Sequence, residues 1–189
     1  MPILRKESDL YPDDLFSIAI DEAPWQIVHV RSRQEKAVAR LLAEWQQPFY
    51  LPQIEKSIRR AGRAFTSFLP LFGGYVFVRR TESTRRVLWM TTATVRVIDV
   101  NDQQQLDGEL RQIRSLQQAG AILVPRADVV PGDAVRITEG VFQGYTGTVL
   151  RDRDDLRLVV SITALNKSVV AEFPRGSVRR LPSGRRNST

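Results

Sequence analysis

The stretch that most restricts the fold is Pro131 to Leu150, PGDAVRITEGVFQGYTGTVL. Gly132-Asp133 is a turn signal, after which Val135 and Ile137 alternate with Ala134, Arg136 and Thr138, the period-2 pattern of a half-buried strand. Glu139-Gly140 interrupts that strand. Phe142 is the single large apolar side chain in the loop that follows, and Gly144 and Gly147 punctuate the way to Thr148-Val149-Leu150. Glycines at this spacing cost a helix about 1 kcal/mol each. The later run of Thr146, Thr148, Val149, Val159, Val160, Ile162, Val169 and Val170 is β-branched and favours strands. This part of the chain is therefore expected to be built from short strands, and to stay β rather than switch to a helical form.

The totals set the remaining bounds. At 189 residues, with 42% hydrophobic and 26% charged residues, the composition is that of a soluble globular protein with room for two small domains. The chain has no cysteine, which excludes disulfides, thiolate metal sites and cysteine nucleophiles. The Arg5-Lys6 pair is not followed by an apolar core and no run approaches membrane-spanning length. Neither a secretory signal nor a membrane helix is expected, and the protein is expected in the cytoplasm. A net charge of +7, carried mostly by clustered arginines, points towards a polyanionic partner.

Along the chain, residues 1–24 form an extension, acidic in its middle and without a clean apolar period. Trp25 to Val30 is a strand. A helix is expected from Ser32, with Glu35 at capping-box spacing and Val38, Leu41, Leu42 and Trp45 on one face. Phe49 to Ile58 is extended, turns at Ala61-Gly62 and returns through Phe65 to Leu69 as a long hairpin. Gly74 to Val78 is the strongest strand, Thr81-Glu82 opens a short helix through Trp89, and Val95 to Val100 alternates as a strand. Asp107 to Ala119 reads as a helix. Residues 120–130 read as a linker. The opening hairpin is followed by strands at Leu156 to Thr163, Ser168 to Phe173 and Ser177 to Leu181. The residues 182–189 form a polar tail expected to be disordered.

The order strand-helix-strand-strand-helix-strand-helix predicts an α+β domain of the split βαβ type, with an antiparallel sheet, over residues 25–119. A small five-stranded β-barrel over residues 131–181 follows it. Gly132, Asp133, Val135, Ile137, Gly140, Phe142, Gly144, Gly147 and Val149 resemble the KOW motif, an SH3-like barrel. PLFGGYVFV, at residues 70–78, and WQIVHVRSRQEKA, at residues 25–37, resemble the N-terminal (NGN) domain of NusG-type transcription factors, particularly the RfaH-like paralogues. Two such motifs in this order resemble the NusG family over Trp25 to Leu181.

That resemblance implies a transcription elongation or antitermination factor without cofactor or metal. Trp25, Leu71, Phe72 and Tyr75 would contribute the apolar surface that meets the β′ clamp helices of RNA polymerase. Gly73 stands where the family usually has proline. Lys56, Arg59, Arg60 and Arg63 at the hairpin tip, with Thr84, Arg85 and Arg86, would contact non-template or upstream DNA. Phe142 and the Leu165-Asn166 turn would meet a further partner, the ribosomal protein NusE or the factor Rho. A monomer is implied, and no membrane contact. Leu165, where the general factor has phenylalanine, and the ALNK segment are closer to the RfaH-like paralogues.

Plainer readings stand beside these. Phe72, Tyr75 and Phe77 suit a core or sheet edge equally well, and an arginine cluster is often only a solvated face. A hairpin tip nevertheless carries arginines beyond a domain body, where phosphates are within reach. An RNA-recognition domain shares the split βαβ order, but Gly73 and Val76 break its strand signature and the first strand has no stacking aromatic where one is required. A ribosome-associated RNA-binding protein would need a strongly basic barrel, whereas the loops there carry Glu139, Asp152, Asp154 and Asp155. Catalysis finds no support, because the only histidine is His29, in an apolar strand, and no P-loop, G-x-S-x-G or H-E-x-x-H pattern occurs.

Overall fold

In a computed structural model, residues 7–60, 63–126, 134–136, 146–152 and 155–172 are described, with side chains resolved over most of them. The chain divides into two compact units, residues 1–111 and residues 112–189.

The first unit is built on a five-stranded antiparallel sheet. Its strands are β1 (Leu10–Tyr11), β2 (Trp25–Val30), β3 (Phe49–Tyr50), β6 (Tyr75–Arg79) and β7 (Thr94–Asp99), in the order β1-β3-β6-β2-β7. Among the described residues, strands β4 (Gln53–Arg60) and β5 (Arg63–Pro70) pair only with each other, as a separate two-stranded ribbon. Alternation assigns Val28, Val30, Val76 and Val78 to one face of the main sheet. They share a buried core with Val38, Ala39 and Leu42 of α1 (Glu35–Glu44) and Val87 and Leu88 of α2 (Glu82–Trp89).

Helix α1 starts three residues after the expected Ser32. Arg33 has a φ of 65°, which breaks the helical path a capping box requires, and the cap position falls on Gln34 with no side-chain bond. Helix α2 is capped as its sequence suggests, the Thr81 side chain accepting from the Thr84 N–H at 2.9 Å. Helix α3 (Gln103–Gln118) starts four residues before the expected Asp107, because the Asp102 carboxylate accepts from the Gln105 N–H at 2.9 Å and supplies a cap.

The segment 7–24 is not a loose extension. Leu10 and Tyr11 pair with Tyr50 and Phe49, adding the outermost strand, and Leu15 is fully buried in a single 3-10 turn. Phe16 meets the rings of Trp25 and Tyr50 at 5.8 and 5.4 Å. The missing period in the sequence reflects this irregular path, in which single anchors replace a stripe.

In the second unit five strands run antiparallel in the order β8-β12-β11-β10-β9, with β8 (Ile122–Arg126), β9 (Ala134–Arg136), β10 (Thr146–Asp152), β11 (Asp155–Ile162) and β12 (Lys167–Glu172). Residues 122–126, read as part of a linker because of Pro125, instead form an edge strand. An edge position tolerates the N–H that proline lacks. The expected strand at Ser177 to Leu181, the Phe142 loop and the tail lie outside the described residues.

Candidate functional site

Three cross-strand pairs between β2 and β6 define the second face of the main sheet: Trp25 with Arg79, Ile27 with Phe77, and His29 with Tyr75. The face is closed at its first end. Trp25 and Arg79 are both 0% exposed. The Arg79 guanidinium lies 4.0 Å from the centroid of the Trp25 ring. It donates to the carbonyls of Ala23 and Ile18, at 3.1 and 3.0 Å, and to the Asp107 carboxylate at 3.2 Å. The Trp25 indole N–H donates to the same carboxylate at 2.8 Å, and Arg111 reaches both Asp107 and the Phe16 carbonyl. Burial lowers the pKa of Arg79 from its ordinary value; Asp107 opposes that shift and Arg111 adds to it.

At its other end the same face opens. His29 and Tyr75 are half-buried and stack with ring centroids 5.2 Å apart and an interplanar angle of 26°. Arg96 of β7, opposite His29, is exposed. The turn that delivers Tyr75 is tied in place from three sides. The Tyr75 N–H donates to the Phe72 carbonyl at 3.1 Å, closing a four-residue turn whose third residue, Gly74, has a φ of 84°, the type II pattern. The Gly74 N–H donates to Glu35 at 2.6 Å, and its carbonyl accepts from the Val30 N–H at 2.9 Å. Glu35 is buried for this purpose, so the residue expected to cap its own helix instead holds the turn before β6.

The residues expected at a polymerase surface therefore separate. Trp25 is core, held by Asp107 and Arg79. Leu71 and Phe72 are 2% and 3% exposed, with Phe72 edge-on to Phe77 at 5.8 Å. Among these four residues, Tyr75 alone offers partly exposed area. The expected nucleic-acid residues separate in the same way. Thr84 is buried and its hydroxyl is within 2.8 Å of the Thr81 hydroxyl and 3.1 Å of the Gln47 side-chain oxygen, so it serves the cap of α2 rather than a ligand. Arg85 and Arg86 are exposed, as is Lys56. Arg59, Arg60 and Arg63 stand in the last register positions of the β4–β5 ribbon, where Arg60 pairs with Arg63. In the second unit Leu165 ends a 3-10 turn and Asn166 follows in the left-handed conformation, with a φ of 50°.

Sequence reasoning missed His29 as a partner of Tyr75, Glu35 as an anchor, and the exposed Trp89. The signal for the first was cross-strand register, which becomes readable only once the β2–β6 pairing is known. Among the described residues, no group of three or more His, Cys, Asp or Glu side chains is placed to hold a metal ion, and no helix is long and apolar enough to cross a membrane.

The antiparallel sheet, with α1 and α2 on one face and a turn-borne aromatic on the other, resembles the N-terminal module of NusG-type proteins. Residues 23–114, just under half of the chain, match the family model described as "Transcription termination factor nusG". Two relatives, each a "Transcription termination/antitermination protein NusG", from Vibrio parahaemolyticus and Vibrio vulnificus, are 28% identical over 185 residues, covering 86% of this chain and 100% of theirs. A solved structure described as "Domain interaction in Thermotoga maritima NusG" superposes with a TM-score of 0.50 at 19% identity, covering 87% of this chain and 100% of that one. At that identity the likeness is one of fold.

Proposed function

We propose that this chain is an elongation and antitermination factor that docks on the β′ clamp helices of RNA polymerase through its first unit. The observation that carries the proposal is the open end of the β2–β6 face. A half-exposed Tyr75 stacked on His29 there is positioned by the Glu35–Gly74 bond, in the segment matched to the NusG family. Rigid aromatic area held before binding loses little side-chain entropy on docking, which is why such residues dominate interface energetics. Held on the clamp, the protein would oppose the clamp opening that accompanies pausing. The arginines at the ribbon tip would add salt-dependent contact with upstream or non-template DNA.

The second unit would be a KOW barrel that recruits a further factor, NusE or Rho, through the Leu165-Asn166 turn and Phe142. Its described segments after residue 121 are strands and one 3-10 turn, which supports a form that is permanently β. The Gly73 and Leu165 departures and the ALNK segment favour an RfaH-like paralogue that promotes elongation.

The test is capture of purified polymerase by the full chain. Tyr75→Ala should weaken capture at least tenfold while the thermal unfolding midpoint stays within a few degrees of the unaltered protein. Equal capture by both proteins would remove the docking assignment.

A further inference from the structure

The pairing register sets three side chains in one row across the open end of the main sheet. His29 of β2 stands opposite Tyr75 of β6 on one side and opposite Arg96 of β7 on the other. Neighbouring strands lie about 4.8 Å apart, so the row spans about 10 Å from Tyr75 to Arg96. It runs from an aromatic ring, through the imidazole stacked on it, to a guanidinium on the outermost strand of the described sheet.

Arg96 is exposed and has neither a hydrogen bond nor an ion pair among the described residues. The acids of this unit's sheet are engaged or lie elsewhere. Asp99, an odd number of positions along β7, alternates to the helix-bearing face and accepts from the Gln26 side chain at 2.6 Å. Glu22 and Glu82 border the closed end, where β2 begins and β6 has ended. Glu35 is buried and accepts from the Gly74 N–H at 2.6 Å. Arg31, directly after β2, is exposed and adds positive charge at the open end. The row is therefore aromatic at one end and cationic at the other, with no acid of its own.

We propose that Arg96 selects an acidic side chain on the helix that docks against Tyr75 and His29, and steers that helix onto the sheet. The inference rests on the docking reading given above and adds to it the chemistry of the partner. A helix rises 1.5 Å per residue, so about seven residues, close to two turns, cover the row. The partner helix then carries an apolar residue over Tyr75 and an Asp or Glu about seven positions away on the same face. Because His29 and Tyr75 each spend one ring face on the other, the row suits an apolar side chain better than a stacking base. A charge at the rim of an interface acts mainly on the association rate and its salt dependence.

The experiment is binding kinetics of the full chain with purified polymerase free of nucleic acid, at low and at high salt. Arg96→Gln should slow association about three- to tenfold at low salt, with dissociation nearly unchanged and the difference closing as salt rises. Arg96→Lys should keep most of the rate, and Arg96→Glu should lose more than Arg96→Gln. Tyr75→Ala should instead speed dissociation at both salt concentrations. Failure of that last result removes the docking reading, whereas normal association of Arg96→Gln beside a weakened Tyr75→Ala overturns only the present inference. If Arg96→Gln is impaired solely on polymerase loaded with DNA, Arg96 is a phosphate contact and the inference is equally overturned. The chain has no cysteine, so Arg96→Cys gives a single thiol for a photo-crosslinker. Its adducts should map to a polymerase helix within one turn of an Asp or Glu, and adducts away from any such helix count against the inference.

Discussion

At one end of the β2–β6 ladder Trp25 faces Arg79, and at the other His29 faces Tyr75. Both pairs place a ring against a polar partner on the same sheet face. The first is sealed by the segment 15–24 and by Asp107 of α3, which satisfy most of the guanidinium's donors, while the second keeps partly solvated rings. One face thus combines an anchored end with an available end. Burial alone does not explain the difference, because a buried arginine is costly unless its donors are met. The closed end exists because two segments distant in sequence, residues 15–24 and α3, bring three acceptors to it.

The strongest way to break the contrast is to remove the anchor. Arg79→Met should destabilise the protein by about 3–5 kcal/mol in urea unfolding, because Asp107 loses a buried partner and the Ile18 and Ala23 carbonyls lose their donor. A loss below 1 kcal/mol would show that the closed end is only packed. Next in size, Gly74→Ala forces a side chain into a φ of 84° and should cost about 1–2 kcal/mol, with a parallel loss of polymerase capture as Tyr75 is re-aimed. Its added Cβ would meet the His29 ring at 3.7 Å, ordinary contact, so the cost is one of backbone. The smallest effect sharpens the open end. Gly73 occupies the second position of the type II turn, and a Cβ there would meet nothing within 4 Å. Gly73→Pro should therefore stabilise the protein by about 0.4–1 kcal/mol by restricting the unfolded chain, read as a higher unfolding midpoint with polymerase capture retained.

What the sequence made legible followed periodicity. The strands at Trp25 and Tyr75 and the stripe of α1 were visible because apolar spacing directly reflects which side faces a core. What stayed hidden depended on partners far along the chain. The role of segment 7–24 depends on Arg79 and Tyr50, the identity of Trp25 as core depends on Asp107, and Glu35 was matched to Ser32 when its partner is Gly74, 39 residues away. Pro125 signalled a break where an edge strand accepts it. Of the residues expected at the site, Tyr75 is partly exposed and Thr84 is buried in the cap of α2, while Trp89, read only as a helix residue, ends that helix exposed. A helix terminus so short leaves exposure undecided until β7 is placed beside it.

The β4–β5 ribbon has one more consequence. Among the described residues its eight cross-strand pairs hydrogen-bond to no other strand, so its length is not dictated by the sheet it leaves. Each pair adds about 3.4 Å, giving an arm on the order of 25 Å, and adding or deleting two pairs preserves which side chains face which way. The ribbon is in effect a ruler with graduations of about 7 Å, and its reach can be reset by inserting or removing residues in matched fours, two on each strand, without changing the main sheet.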